Sequence, residues 1–268
     1  MSDRVAVIGV GKMGEALLSG MLRAGKPVTD LLGTVRTADR AAMLRERYGI
    51  AIVSNAEAAA AADTLLFAVK PQDMSALLDD IGPHVAADRL VVSVAAGITT
   101  SFLERRLPEG TACVRVMSNT PVLVDAAMSV VSAGSHATEE HLHRTEQVLR
   151  PVGKVLRVPE SQQDAVTALS GSGPAYVYYL VESMTDAAIL LGLPRGVAHE
   201  LIVQAMVGAA TMLRDSGDHP VTLRENVTSP GGTTINAIRE LEKHGVRAAV
   251  LDAISAARDR SRELAAGE

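Results

Sequence analysis

The sequence predicts a doubly wound, mostly parallel α/β sheet over residues 1–160, followed by an all-helical domain over residues 161–268. Three observations carry that expectation. Short β-branched runs without polar alternation, such as RVAVIG at 4–9, fit parallel strands covered on both faces. They alternate with helical patterns at the spacing of crossover units. After Glu160 the period becomes helical and stays helical. A length of 268 residues also suits two domains.

The first strand, residues 4–9, runs into a glycine turn, and EALLSGMLRAG then gives a helix closed by Gly25. A strand near 31–36 leads to Thr37-Ala38-Asp39-Arg40 and a helix through Tyr48-Gly49. Residues 50–53 give a third strand, 55–62 an alanine-rich helix and 64–69 a fourth strand. A helix near 73–80, a strand at 90–95, a helix near 100–106 and strands at 112–117 and 128–132 come next. A helix near 138–150 and a short strand at 154–158 complete the sheet domain. Beyond it, 162–191, 195–215, 233–243 and 246–265 read as helices. The stretch 197–213 is apolar around most of its circumference and must be buried on most sides. A domain of roughly 100 residues has little interior for it, which predicts burial against a second copy of the chain.

Hydrophobic residues at 47% and charged ones at 21% describe an ordinary globular chain. A net charge of −5 lacks the basic footprint of a nucleic-acid binder, and 2% aromatics without Trp give no stacking platform. Cys113 stands alone in an apolar run, so it reads as a buried, inert thiol in a reducing compartment. The N-terminus lacks the pattern of a signal peptide, and apolar runs such as 201–213 are interrupted or too short to span a membrane. The expectation is a soluble, cytoplasmic protein.

Gly9-Val10-Gly11-Lys12-Met13-Gly14 sits between a strand and a helix, the context in which this spacing marks a dinucleotide loop. Gly9 permits the tight turn, Gly11 lets the backbone approach a pyrophosphate, and Gly14 lets helix and strand pack closely. Binders of NAD usually follow the second strand with an acid for the ribose 2′-hydroxyl. Here Arg36 and Thr37 stand there instead, so NADPH is preferred over NADH.

A second anion cradle lies at Ser229-Pro230-Gly231-Gly232-Thr233-Thr234, where two glycines and three hydroxyl residues open a helix. With the pyrophosphate served by the first loop, this one is free for a substrate carboxylate. No Tyr precedes a Lys by four residues, and no pair among the seven His has ligand spacing, so metal binding is not supported. Lys70 ends a strand at the edge where such sheets place ligands, as a functional cation or a solvated strand end. Asn119 ends another, as a ligand-orienting group or a cap before Pro121. The stretch 170–175, SGSGPA, interrupts its helix as a kink, a smooth wall for a substrate, or both.

These motifs, with Ala68-Val69-Lys70-Pro71, Ala95-Ala96-Gly97 and Asn119-Thr120-Pro121, occur in the order seen in pyrroline-5-carboxylate reductases, which the chain resembles over essentially its whole length. The resemblance implies a Rossmann domain, a helical domain that interlocks with its twofold mate, often a ring of dimers, and the last step of proline biosynthesis. It implies cofactor contacts along Gly9 to Gly14, Arg36, Thr37, Asn55, Ala68 to Lys70, Ala95, Ala96 and Asn226. It also implies substrate contacts from Glu160, Ser229, Gly232, Thr233 and Thr234. Two departures, Ser118 for a common Pro and Asp125-Ala126-Ala127 for a stretch that often holds glycine, lie beside that site.

The implied substrate, 1-pyrroline-5-carboxylate, is a cyclic imine whose ring nitrogen takes up its own proton, so the protein needs mainly to position it and hold its carboxylate. The Thr234 hydroxyl reaches the nitrogen as a hydrogen-bond partner, its pKa being far too high for a general acid. The rival readings are an NADP-sensing regulatory protein without turnover, or another reductase of the same layout. Such reductases use a lysine on the helical domain, where this chain has only Lys243, near a helix end.

Overall fold

The computed structural model describes residues 4–266. Its elements are β1 (Val5–Ile8), α1 (Lys12–Arg23), β2 (Leu31–Thr34), α2 (Ala38–Tyr48), β3 (Ala51–Ile52), α3 (Asn55–Ala61), β4 (Thr64–Phe67), α4 (Met74–Ile81), β5 (Leu90–Ser93) and α5 (Thr100–Glu104). Then come β6 (Ala112–Met117), β7 (Ala127–Ala133), α6 (Glu139–Leu149), β8 (Gly153–Arg157), α7 (Gln163–Val166), α8 (Gly173–Leu190), α9 (Arg195–Ser216), α10 (Pro220–Asn226), α11 (Thr233–Lys243) and α12 (Val246–Ala266). The sheet order is β3-β2-β1-β4-β5-β6-β7-β8. All pairs are parallel except β6 with β7. That exception follows from the connection at 118–126, which is shorter than the dozen or so residues of a parallel crossover.

Each face of the sheet has its own core, and the side-chain alternation of β1 divides between them. Val5 and Val7 join Leu17, Leu18, Leu44 and Leu149 on one face. Ala6 and Ile8 join Met74, Leu78, Phe102 and Leu103 on the other. Burial on both faces explains the continuous apolar runs, since each fully buried Leu or Phe contributes roughly 2 kcal/mol. The order of connection reverses between β1 and β4, which pair from Val5↔Thr64 to Ile8↔Phe67. Their carboxyl ends open the crevice in which sheets of this kind hold ligands.

Contacts divide the chain into two compact units: one runs up to Ser172 and resumes at Ala257, the other is Gly173–Ala256. The first therefore continues beyond Glu160, where the sequence placed the boundary, because Gln163 donates to the Val130 carbonyl at 3.1 Å and to Ser132 Oγ at 2.8 Å. Ser261 also donates to Asp164 at 2.8 Å. The helix expected at 162–191 is divided by a π turn at Thr167–Gly171, ahead of Pro174, which has no N–H to give. A Cβ on Gly171 would come within 2.3 Å of Met117 Cε, so close packing holds this turn. Asn119, expected as a ligand-orienting group or a cap before Pro121, makes no side-chain capping bond; instead its amide donates to the Ser170 carbonyl at 3.2 Å and its oxygen accepts from Met128 N at 3.1 Å.

The second unit leaves Tyr178, Tyr179, Leu190, Leu191, Leu201 and Met212 exposed. On α9 only Ala198 and Ile202 are buried. An 18-residue window of this 22-residue helix has a mean hydropathy of 1.3, so by length and composition alone it is long and apolar enough to cross a membrane, where the expectation was that such runs are interrupted or too short. α10 was not expected at all.

Candidate active site

The glycine turn after β1 has the geometry its spacing implies. Gly9 lies at φ +82°, where a Cβ would meet Val69 Cγ1 at 2.6 Å and the Val69 backbone nitrogen at 3.2 Å. A Cβ on Gly14 would meet the Gly9 carbonyl at 3.1 Å and Ala68 Cβ at 3.2 Å, which is the close packing of α1 on β1 and β4. Gly11 differs, with nothing within 4 Å of its Cβ position. It is also the N-cap of α1 and brings no capping side chain, so the first N–H groups of that helix are open to an anion.

Around the turn lies a cleft of about 280 Å³, lined by Gly9, Gly11, Arg36, Thr37, Lys70 and Asp73 among others. A contiguous recess of about 230 Å³ extends it past Asn55 and Asp80, and Asn55 donates to Asp80 at 3.1 Å. Arg36 is 75% exposed and ion-paired to Asp73. Thr37 caps α2 by accepting from Arg40 N at 3.4 Å. Val10 is buried, with its N–H bonded to the Thr34 carbonyl at 2.9 Å and its own carbonyl accepting from Arg40 Nε at 3.2 Å. Lys12 is exposed, and Met13 packs on the core. This arrangement fits the pyrophosphate and adenosine of a dinucleotide.

Sequence reasoning passed over Arg40, Glu15 and Asp73. Glu15 accepts from Arg40, from Arg47 at 3.0 Å and from the Tyr48 hydroxyl at 2.8 Å, so Arg40 is held while it braces Val10. Burial pushes the Glu15 carboxyl up, but hydrogen bonds from Arg40 and Tyr48 and the charges of Arg40 and Arg47 outweigh it, holding Glu15 below the ordinary 4.5. Stability from such a group is complete above its unfolded value and is lost as pH falls through the lower folded value. Glu15→Gln should therefore lose about 1–2 kcal/mol near neutrality, with the gap to the parent closing in thermal melts as pH is lowered below the ordinary carboxylate value of 4.5.

Ala95 and Ala96 follow β5, Ala95 buried and Ala96 exposed. Ala96 and Gly97 line a separate cavity of about 820 Å³, with Gln72 and Ser172 on its wall. Glu160 is occupied within the chain: it accepts from Thr100 N at 2.8 Å, from the Thr100 hydroxyl, and from buried Arg115 at 3.4 Å. The Cys113 thiol is pushed up to about 12 by burial and then by Glu104 and Glu160, which leaves it unreactive at neutral pH. No cluster of three His, Cys, Asp or Glu able to hold a metal occurs among the described residues.

In the second unit, Ser229, Gly232, Thr233 and Thr234 come together at the start of α11. Gly231 turns the chain at φ +66°. Gly232 is the N-cap, again without a capping side chain, and a Cβ on it would lie 2.2 Å from Ser229 Oγ. Its N–H bonds the Ser229 carbonyl at 3.1 Å, and its carbonyl accepts from Asn236 at 2.9 Å. Asn226 ends α10 and is exposed.

A family model for pyrroline-5-carboxylate reductase dimerisation matches residues 160–264, and one for NADP oxidoreductases, coenzyme F420-dependent, matches 4–97. The pyrroline-5-carboxylate reductase of Mycobacterium leprae is 43% identical, the match covering 97% of this chain and 96% of that protein. The chain belongs to the pyrroline-5-carboxylate reductase family. Its architecture is that of the family too. The Coxiella burnetii pyrroline-5-carboxylate reductase structure matches with a TM-score of 0.93 at 33% identity, covering 98% of this chain and 99% of that one. The Plasmodium falciparum pyrroline carboxylate reductase, described with NADP bound, matches with a TM-score of 0.88 at 28% identity, covering 99% of each.

Proposed function

We propose that this chain reduces 1-pyrroline-5-carboxylate to proline with NADPH, accepting NADH as well, as the last step of proline biosynthesis in the cytoplasm. Membership of the reductase family and the NADP held by the Plasmodium falciparum relative support the reaction and the cofactor class. The observation that carries the assignment of roles is that α1 and α11 each open on a glycine N-cap with no capping side chain, Gly11 and Gly232, one for each anionic group the reaction handles.

The chemistry that NADPH supplies when bound is hydride donation to the C=N carbon. Gly9 to Gly14 hold its pyrophosphate, and Arg36 with Thr37 hold its 2′-phosphate. Asn55, Ala68 to Lys70, Ala95, Ala96 and Asn226 complete its contacts. The N–H groups of Thr233 and Thr234 bind the substrate carboxylate, that of Gly232 being taken by the Ser229 carbonyl at 3.1 Å, with Ser229 and Glu160 as further substrate contacts, and the Thr234 hydroxyl hydrogen-bonds the ring nitrogen. Because the imine arrives protonated, positioning and charge complementarity suffice and no strong acid is required. The exposed apolar face of α8 and α9 is covered by a second copy of the chain, and such dimers assemble further into a ring.

Following NADPH oxidation with pyrroline-5-carboxylate tests the whole reading: turnover is expected, and tight NADPH binding without turnover would leave the sensor alternative. Arg36→Ala should raise KM for NADPH about tenfold and that for NADH far less, as one charge-assisted phosphate contact predicts. An unchanged NADPH/NADH ratio in initial rates would remove Arg36 from the phosphate site.

A further inference from the structure

Arg36 does not stand free in the cleft. Its guanidinium is ion-paired with Asp73, which arrives from the connection between β4 and α4, and both residues line the pocket beside the glycine turn. Asp73 ends the 3-10 turn Pro71–Asp73 that runs straight into α4, and with its backbone already helical at φ −95°, ψ −7° its side chain makes no capping hydrogen bond and is free to face Arg36. Its backbone is pinned by the bond from its N–H to the Lys70 carbonyl at 3.0 Å, and its carboxylate is only 28% exposed. The other acid on this face of α4, Asp80, is engaged by Asn55. Asp73 is thus the carboxylate that a ligand reaching Arg36 must meet.

We infer that Asp73 sets the cofactor selectivity of this enzyme, competing with the 2′-phosphate of NADPH for Arg36 and accepting the ribose 2′-hydroxyl of NADH. The inference rests on the reading that this cleft binds the adenosine half of NAD(P)H. A 2′-phosphate carries close to two negative charges, so it has to take Arg36 from Asp73 and then remain beside a like charge. A 2′-hydroxyl is neutral and donates to a carboxylate, which is the service an acid after β2 gives in NAD binders and which β2 lacks here. One ion pair therefore serves both cofactors, with Arg36 favouring NADPH and Asp73 tempering that preference.

The test is titration calorimetry of the intact protein with 2′,5′-ADP and with 5′-ADP, together with KM for NADPH and NADH. Asp73→Asn should bind 2′,5′-ADP about five- to tenfold more tightly and 5′-ADP no better than the parent, with the NADPH/NADH selectivity rising accordingly through KM. Asp73→Glu keeps the charge and should restore most of the parental ratio. The gain from Asp73→Asn should shrink as salt is raised, because the repulsion removed is partly screened. A parental ratio of the two affinities in a folded Asp73→Asn protein would overturn the role of Asp73. Failure of the parent to bind 2′,5′-ADP at all would overturn the cofactor reading beneath it.

Discussion

Thr234→Ala should lower kcat/KM for pyrroline-5-carboxylate by roughly ten- to a thousandfold, the cost of one or a few well-placed hydrogen bonds to the reacting group. Thr234 is the second residue of α11, half-buried, where the helix opens on Gly232 without a side-chain cap. Its hydroxyl has no capping duty, so truncation should leave α11 folded and remove only the proposed contact to the ring nitrogen. Thr234→Ser keeps the hydroxyl and should recover most of the rate. The loss should fall mainly on kcat if the bond strengthens as charge at nitrogen changes, and on KM if it only holds the substrate. Parental kinetics in Thr234→Ala would take this residue out of the reaction.

The sheet and the two glycine-opened helix starts were legible because each rests on a local rule. A parallel strand covered on both faces needs a continuous apolar run, and Gly9 needs a backbone conformation that other residues rarely adopt. What was not legible depends on pairs distant in sequence or on elements too short to show a period. Arg40 meets Glu15 across 25 positions, and nothing in the first turn of α2 distinguishes that arginine from its neighbours. Asp73 reads as an ordinary residue after Lys70-Pro71 until β2 and β4 bring it to Arg36. α10 has only 7 residues, below two helical periods, although Pro220 at its first position after His219 was an available start signal. The interruption of the helix was legible from SGSGPA at 170–175, but its form as a π turn at Thr167–Gly171 follows from the packing of Gly171 on Met117, which no spacing rule encodes.

Glu160 separates two roles that the sequence could not. Its carboxylate accepts from the first N–H of α5 and from buried Arg115, so it anchors the connection that carries Ala95 and Ala96. Removing it leaves Arg115, whose side chain is 5% exposed, without a counter-ion, and a buried charge losing its partner costs about 3 kcal/mol, less where the partner is partly solvated. Glu160→Ala should therefore lower the free energy of denaturant unfolding by about 2–3 kcal/mol, and Glu160→Gln, which keeps the shape and one acceptor, by about half as much. The substrate contact makes a different demand. If the carboxylate also touches pyrroline-5-carboxylate, Glu160→Gln should raise the substrate KM well beyond the NADPH KM in the folded protein. A folded variant with a large stability loss and a parental substrate KM would make Glu160 a structural anchor alone. A raised substrate KM at parental stability would show instead that the Arg115 pair contributes little and the substrate contact is the main one.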